Sequence, residues 1–415
     1  MSLEKTAHQY LERYAESEIS DLDDLDISGY AHCLVIPAHR EESESVLRIW
    51  PHSDPKLLMI LVVNSGTEED SVSQQMFRNL TTGPSQQAGH LHYIRRSDSP
   101  DLIVVDRCHA GRLIPQRQGV GLARKIGADL ALALICKGAI DSPLINSTDA
   151  DVVLPNNYFD IPPLDITTAA ILQPFRHHFD AELELASRLY DIAMNYYVRG
   201  LHYAGSAYAF PTIGSTLRIN AKHYAQVRGF PKRNAAEDFY ILNKLAKTGQ
   251  IEISPGAAIS IQARLSDRAP FGTGPALQTI KSLTAPMTDY EFYDPRVFYM
   301  LRIFLASADQ LHNQDPEPCF GHTPEILNWL NHSHLRGLLT QQRQSPNRVF
   351  QRFLRDWFDG FQTLKFIHFM RDNYFPSKNL NHICDGTVLP KAHIRDIDSV
   401  RWLHRLLTEP TDSVS

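Results

Sequence analysis

The chain has 415 residues, of which 43% are hydrophobic and 21% are charged. That composition is typical of a globular protein and excludes a collagen-like or disordered chain. The formal net charge of −6 gives no overall basic footprint, so a nucleic-acid partner is not expected. Because the length exceeds one average domain, we expect one large domain with smaller additions.

The cysteines favour a reducing compartment, since there are five of them and none forms a CxxC pair. The polar, acidic sequence at the start lacks the apolar segment of a secretory signal peptide. No stretch reaches the roughly 18 to 20 apolar residues of a membrane span. We therefore expect a cytoplasmic protein without a transmembrane segment, and leave peripheral membrane contact open.

In chain order, residues 1–28 predict a helix and an acidic linker, and residues 29–280 alternate between strands and helices. Short apolar runs rich in β-branched residues predict strands at 32–37, 57–64, 91–96, 102–107 and 142–147. Residues 119–139 predict a long helix, because alanines and leucines recur at helical spacing. This alternation predicts an α/β fold with a mostly parallel sheet flanked by helices.

Two aspartates, Asp149 and Asp151, follow the strand predicted at residues 142–147. Parallel sheets bind ligands at the carboxyl ends of their strands. Carboxylate oxygens are hard ligands for Mg²⁺ or Mn²⁺, which commonly bind one or two carboxylates together with substrate phosphates. The alternative is a solvated turn in which Asp149 is a helix N-cap. The residues alone leave both interpretations open.

A second acidic pair, Glu237 and Asp238, opens the amphipathic helix predicted for AAEDFYILNKL. The helix dipole favours carboxylates in a first turn, which gives this pair an ordinary structural explanation. A carboxylate there is also a candidate general base, if a hydroxyl group of a substrate lies within hydrogen-bond reach.

Six motifs follow one another over roughly residues 30–270, namely HCLVIPAHREE, LVVNSGTEED, GVGLARKIGAD, TDAD, GSTLRINAKHYAQVRGF and AAED. Their order resembles that of the GT-A-fold nucleotide-sugar glycosyltransferases, especially the family 2 group. The chain departs from the family pattern at Asn64 and Glu69, where aspartates are usual, and at Lys125, where asparagine is usual. Arg228 likewise replaces the first glycine of a Gly-Gly pair.

The resemblance implies a GT-A domain at residues 29–280 and a hexosyltransferase-type enzyme that moves a sugar from a nucleotide-diphosphate sugar to a hydroxyl acceptor. It implies that Asp238 is the general base of an inverting displacement, with Glu237 beside it. It also implies that Asp149 and Asp151 hold Mn²⁺ or Mg²⁺. The residues expected to bind the nucleotide sugar are Pro37, Ala38, His39, Glu41, Asn64, Gly119, Arg124, Asp149, Gly214, Ser215, Arg264 and Arg268.

Alternatives accompany several of these assignments. Arg124 and Lys125 either add positive charge near the diphosphate or lie on a solvated helix face. Gly214 either lets the backbone approach the sugar or is a packing glycine. Residues 260–274 are either a loop that closes over the diphosphate or an ordinary exposed turn.

Residues 281–415 are predicted to form a helical C-terminal region rich in aromatic residues. One apolar stripe of helical spacing comprises Phe350, Phe353, Leu354, Trp357, Phe361 and Leu364. We expect these side chains to pack in a core rather than to anchor the protein to lipid. Participation of this region in acceptor binding or in a homodimer is left open.

Two other classes of protein fit part of the sequence. A sugar nucleotidyltransferase also combines an α/β sheet, a metal and a diphosphate, but the segment after the first predicted strand lacks the expected glycine-rich loop. A catalytically inactive GT-A-like binding module is the other alternative, although both acidic pairs are present. A Rossmann dehydrogenase is disfavoured, because no GxGxxG motif follows an early strand.

Overall fold

A computed structural model describes residues 3–50, 52, 54, 56–161, 164–265 and 272–380. The chain divides into two compact units. Unit 1 comprises Met1–His178, Thr212–Ala263 and Asp267–Gly272, and unit 2 comprises Phe179–Pro211, Arg264–Ser266 and Thr273–Ser415. Residues 1–28, predicted as a separate segment, therefore belong to unit 1, and part of the predicted GT-A domain belongs to unit 2.

The helices are numbered along the chain. They are α1 Leu3–Arg13, α2 Ser43–Leu47, α3 Ser71–Leu80, α4 Gly119–Cys136, α5 Glu184–Tyr203, α6 Ala221–Gln226, α7 Glu237–Leu245, α8 Thr273–Lys281, α9 Pro286–Asp289, α10 Pro295–Ser307, α11 Pro316–Phe320, α12 Pro324–His332, α13 Leu335–Gln342, α14 Asn347–Trp357 and α15 Gly360–Asn373. No helix in the described part of the chain combines the length and apolarity needed to traverse a bilayer.

The strands are numbered in the same way. They are β1 His32–Ala38, β2 Leu57–Asn64, β3 Gln86–Ala88, β4 Leu91–Ile94, β5 Asp101–Arg107, β6 Leu144–Ser147, β7 Val152–Val153, β8 Thr168–Leu172, β9 Phe175–His178, β10 Leu217–Asn220, β11 Gln250–Ile253, β12 Ile259–Gln262, β13 Glu291–Phe292 and β14 Lys378–Asn379. The five predicted strands and the predicted long helix are confirmed to within a few residues.

A large mixed sheet lies at the centre of unit 1. Among the described residues it has nine strands in the order β11-β8-β10-β6-β1-β2-β5-β4-β3. The four central strands, β6, β1, β2 and β5, run parallel, whereas β10 is antiparallel to both of its neighbours. All residues of β2 are buried, as expected for a central parallel strand covered on both faces.

Both faces of this sheet are covered. On one face α4 packs so closely that a Cβ atom at Gly127 would lie 2.5 Å from Val35 Cγ1. On the other face α2, α3 and a three-stranded sheet of β7, β12 and β9 enclose an apolar core that includes Met59, Phe77 and Ile261. Most of α4 is buried, so its sequence is apolar nearly all round rather than amphipathic.

The N-terminal residues are part of unit 1. Tyr10 on α1 and Leu22 in the 3₁₀ helix Ser17–Asp24 are buried. Asp21 accepts a hydrogen bond from the backbone N–H of His90 at 2.9 Å. The acidic segment predicted to be a linker is therefore a packed element.

The described residues of unit 2 form helices and connecting loops, apart from the short strand pair β13 and β14. The rings of Phe304, Trp329 and Phe366 pack around one another with centroids 4.8–5.8 Å apart. This packing agrees with a core role for the aromatic residues. α5, which also belongs to this unit, is not among the predicted elements.

The stripe predicted across residues 350–364 is interrupted by a helix boundary. α14 ends at Trp357, and Asp359 caps α15 by accepting hydrogen bonds from the backbone N–H groups of Phe361 and Gln362. Phe350 and Leu354 are buried as expected. Phe361 is 37% exposed, because the break changes which residues of α15 face the core.

Candidate active site

The topology of unit 1 places a switch point between β1 and β6. From β1 the chain moves to β2 and β5 on one side, and then returns through α4 to β6 on the other side of β1. Open α/β sheets bind ligands outside the carboxyl ends of their strands at such a point. β1 ends at Ala38 and β6 ends at Ser147, so Asp149 follows one of the two strands that define the switch point.

The side chain of Arg124 joins the predicted motifs at this edge. It is buried on α4, and its Nη2 lies 2.5 Å from Asp149 Oδ1 while its Nε lies 3.1 Å from Glu237 Oε1. Nη1 donates to Ser147 Oγ at 2.9 Å and to the backbone oxygen of Gly214 at 3.2 Å. The motifs GVGLAR, TDAD, GSTLR and AAED therefore meet around a single guanidinium group.

This geometry changes the role of Arg124. Its donors are largely taken up by protein acceptors, and the side chain is 2% exposed. It therefore orients Asp149 and Glu237 instead of presenting its charge on a solvated helix face. Glu237 is also buried, and it is an ion-pair partner of Arg124.

Gly214 provides the space that this guanidinium occupies. A Cβ atom at Gly214 would lie 2.6 Å from Arg124 Nη2. Glycine is thus required at position 214 because the side chain of Arg124 lies against its backbone. Ser215 is buried in the same 3₁₀ turn, Gly214–Thr216.

Asp238, the second residue of this acidic pair, is partly exposed as a whole residue, whereas its carboxyl group is enclosed by protein. Its Oδ1 accepts a hydrogen bond from the backbone N–H of Phe239 at 2.7 Å. Burial of the carboxyl group first, and the neighbouring Glu237 carboxylate second, raise the pKa of Asp238 to about 7. A carboxylate with such a pKa is matched to proton transfer near neutral pH.

The charges at this edge are not balanced. Three carboxylates, those of Asp149, Glu237 and Asp238, act on the one guanidinium of Arg124. Asp149 remains 34% exposed, and Asp151 is partly exposed two residues further on. The partly exposed carboxylate oxygens of Asp149 and Asp151 are ligands of the type that hard divalent cations bind, so the chemistry of these two residues fits such an ion.

The start of α4 is held against the segment that leads into α7. A Cβ atom at Gly119 would lie 2.8 Å from Asn234 Cα, and one at Gly121 would lie 2.4 Å from the backbone oxygen of Pro231. The backbone N–H of Gly121 donates to the backbone oxygen of Arg233 at 2.8 Å. Gly119, predicted to bind the nucleotide sugar, therefore lies in a helix-to-loop contact within the protein.

The residue before α7 has a rare backbone conformation. Ala236 has φ +59° and ψ +20°, which is the left-handed region. For a residue with a Cβ atom this conformation costs about 1–2 kcal/mol. Such conformations concentrate at functional sites, and this one directly precedes Glu237 and Asp238.

The remaining predicted residues of unit 1 lie near the ends of β1 and β2. Pro37 and Ala38 are the buried last residues of β1, and Asn64 Nδ2 donates to the backbone oxygen of Ala38 at 3.0 Å. His39 Nε2 lies 3.3 Å from Asp70 Oδ2. Glu41 lines an open depression between α2 and α3.

The side chain of Lys125 points into the protein interior towards α1. It is buried and donates to Asp129 Oδ2 at 2.7 Å and to the hydroxyl of Tyr10 at 2.6 Å. Lys125 thus anchors α1, in contrast to the expectation. Arg264 belongs to unit 2 and is partly exposed, whereas Arg268 lies outside the described residues.

A buried basic residue near the switch point escapes sequence reasoning. Arg218 on β10 donates to Gln173 Oε1 at 2.5 Å, and its guanidinium lies 3.9 Å from the ring centroid of Tyr158. Its Nε and Nη1 have no hydrogen-bond partner within the described chain. A single arginine in a short strand gives no sequence signal for this burial, since alternating strands usually expose such residues.

Comparisons with known proteins do not assign this chain to a family. No protein-family model matches the sequence, and no curated protein matches it. Among solved structures, the chain is similar to a mannosyltransferase from Pyrobaculum calidifontis in complex with GDP-Man and Mn²⁺, at 14% identity and a TM-score of 0.35. The similarity covers 83% of this chain and 99% of that one. A TM-score this low does not establish a common fold.

Proposed function

We propose that this protein is a metal-dependent glycosyltransferase of the GT-A type, similar to family 2, which transfers a sugar from a nucleotide-diphosphate sugar to a hydroxyl acceptor. The observation that carries the proposal is the buried Arg124, which binds both Asp149 and Glu237. Through it, motifs far apart in sequence meet at the switch point of an open α/β sheet.

The chemistry assigned to this chain's own residues begins at Asp238. Its carboxylate removes the proton of the acceptor hydroxyl as the new glycosidic bond forms, in a single displacement that inverts the anomeric carbon. The pKa of about 7 allows Asp238 to be ionised in the resting enzyme and to hold the proton afterwards. Burial first, and the Glu237 carboxylate second, keep this pKa high. Through Arg124, Glu237 also ties the start of α7 to the TDAD motif.

Asp149 and Asp151 would hold Mn²⁺ or Mg²⁺, which neutralises negative charge on the departing diphosphate when bound. Arg124 orients Asp149 through Oδ1 and leaves the second carboxylate oxygen for other partners. Other residues proposed to contact the donor are Pro37, Ala38, His39, Glu41, Asn64, Ser215, Arg264 and Arg268.

The test begins with a thermal-shift screen of nucleotide sugars with Mn²⁺, because a ligand that binds only the native state raises its melting temperature. Donor hydrolysis or transfer is then measured for the best ligand. We expect Asp151→Ala to abolish activity while its circular dichroism spectrum is unchanged. The matched control is Asp160→Ala, an exposed aspartate in the loop after β7, which should keep activity.

Full activity of Asp151→Ala in the presence of a chelator would contradict the metal assignment. The anomeric configuration of the product, measured by NMR spectroscopy, tests inversion separately. Retention of configuration would remove Asp238 from the role of base in a single displacement.

A further inference from the structure

A group of potential metal ligands lies at the carboxyl end of β5. The ligand atoms of Asp106, Cys108 and His109 all lie within 4.8 Å of one another. Cys108 Sγ lies 3.6 Å from Asp106 Oδ1 and 3.5 Å from His109 Nδ1. His109 Nδ1 and Asp106 Oδ1 are 2.9 Å apart. The three atoms therefore form a small triangle in a short stretch of chain.

The size of this triangle matches one face of a tetrahedral zinc site. Zinc bond lengths of about 2.0–2.3 Å place a sulfur ligand about 3.6 Å from an oxygen or nitrogen ligand. They place nitrogen about 3.4 Å from oxygen. The two sulfur distances already agree, and only the distance between Asp106 and His109 must lengthen, by roughly half an ångström.

The surroundings hold the carboxylate of Asp106 in the required orientation. Arg112 Nη1 binds Oδ2 at 2.9 Å, and this contact turns Oδ1 towards Cys108 and His109. The backbone N–H of Cys108 donates to Oδ1 at 3.2 Å. Partners of this kind orient the ligands in metal sites. Asp106 and Cys108 are buried, whereas His109 is 35% exposed and gives the group access to solvent.

We propose that Asp106, Cys108 and His109 form a binding site for Zn²⁺, with water in the fourth position. On binding, the Cys108 thiol releases its proton to solvent, and His109 binds through Nδ1 as the neutral tautomer that carries its proton on Nε2. The thiolate and the carboxylate then balance the charge of the ion. A soft sulfur ligand beside imidazole and carboxylate selects zinc over Mg²⁺ or Mn²⁺.

This site is separate from the metal site proposed at Asp149 and Asp151. Those residues follow β6, which lies three strands away from β5, or about 14 Å across the sheet. Of the residues proposed to contact the donor, Asn64 is nearer, because it pairs with Arg107 of β5.

Asp106 belongs to β5, whereas Cys108 and His109 belong to the loop between β5 and α4, so bound zinc would fasten this loop to the end of β5. The fourth position stays open to water, unlike that of a closed structural zinc site. The presence of the ion does not depend on the proposed activity.

The test is a titration of the chelator-treated full chain with Co²⁺, a coloured substitute for zinc. We expect one equivalent to produce a thiolate-to-cobalt charge-transfer band that Zn²⁺ abolishes and excess Mn²⁺ does not. Cys108→Ser should eliminate the band, and Asp106→Asn and His109→Gln should weaken cobalt affinity about 10-fold or more. Zn²⁺ should raise the melting temperature of the unsubstituted chain but not that of the Cys108→Ser variant.

Two controls distinguish the site from other metal sites on the chain. Cys136→Ser removes an exposed cysteine elsewhere and should keep the band. Asp151→Ala, which tests glycosyl transfer, should also keep it. The proposal is overturned if the natively folded chain gives no charge-transfer band, or if either control variant loses it. Circular dichroism of each metal-free variant shows whether the fold has survived.

Discussion

Two adjacent basic residues of α4 are both buried, but their surroundings differ. At Lys125 one carboxylate, that of Asp129, receives four donors, from Lys125, Tyr10, Tyr224 and the backbone of Glu16. Lys125 also lies 3.7 Å from Glu16, which is paired in turn with Lys232, so two cations face two carboxylates and the charges balance. At Arg124, by contrast, three carboxylates act on a single guanidinium, and the pKa of Asp238 is raised to about 7.

The comparison distinguishes a structural contact, at Lys125, from a candidate reactive site, at Arg124. A balanced, fully hydrogen-bonded pair can hold α1 against α4, and it has nothing left for a ligand. A group with surplus negative charge is less stable by itself, because like charges repel. It is correspondingly suited to bind a cation and to exchange a proton. Four substitutions test this contrast.

The largest effect is expected from Asp238→Asn. An amide cannot accept the acceptor's proton, so turnover should fall by about 10²–10⁴-fold. Donor affinity in the thermal-shift assay should be unchanged. Unchanged turnover with lost donor affinity would instead make Asp238 a binding residue.

Lys125→Met should mainly affect stability. The substitution leaves the Asp129 carboxylate buried without its cation, and breaking a buried pair costs about 3–5 kcal/mol. Denaturant unfolding measures the loss, and the activity of the remaining folded protein should be retained. The control is Lys137→Met, since Lys137 is paired with Asp23 at the surface, where such pairs contribute at most about 1 kcal/mol.

Glu237→Gln should lower the pKa of Asp238 from its value of about 7. The substitution removes a like charge and leaves Arg124 less neutralised, so a shift of about one pH unit downwards is expected. Because the proposed base is the ionised form of Asp238, the acidic limb of the kcat/KM profile is expected to move to lower pH. Carboxyl ¹³C NMR titration measures the pKa directly, and Asp23→Asn, at an exposed residue, should leave it unchanged.

The smallest effect is expected from Ala236→Gly. Glycine adopts the left-handed conformation of this position without a steric penalty, which should stabilise the fold by about 0.5–1 kcal/mol. A rise in melting temperature of a few degrees would follow. A fall would show that the Cβ atom of Ala236 contributes packing that outweighs the strain.

The positions of the central strands could be predicted from the sequence. Continuous apolar runs predicted β1, β2 and β5 closely, because central parallel strands are buried on both faces. The positions of Asp149, Glu237 and Asp238 at element ends were likewise predictable. Their meeting around Arg124 depends on sheet order, which no local pattern contains.

Other features were beyond sequence reasoning for identifiable reasons. α4 is apolar on nearly all of its faces, so its sequence pattern does not show which neighbours Arg124 and Lys125 contact. The interruption between α14 and α15 had a weak signal, because Asp359 is a good N-cap and Gly360 follows it. Asp106, Cys108 and His109 lie close together in sequence, yet only the turn after β5 brings their ligand atoms into one triangle.

The glycines at the beginning of α4 limit the relative movement of Asp149 and Asp238, the two carboxylates to which roles are proposed. Gly119 and Gly121 clamp the helix to the loop before α7, and Arg124, one turn later, grips Glu237 on α7 itself. Because these two contacts are close together, they restrict movement of the segment that carries Asp149 relative to α7, which carries Asp238. A side chain added at either glycine should therefore weaken the contact between α4 and the loop before α7. This change should lower turnover of the proposed reaction although neither glycine is expected to contact the substrate.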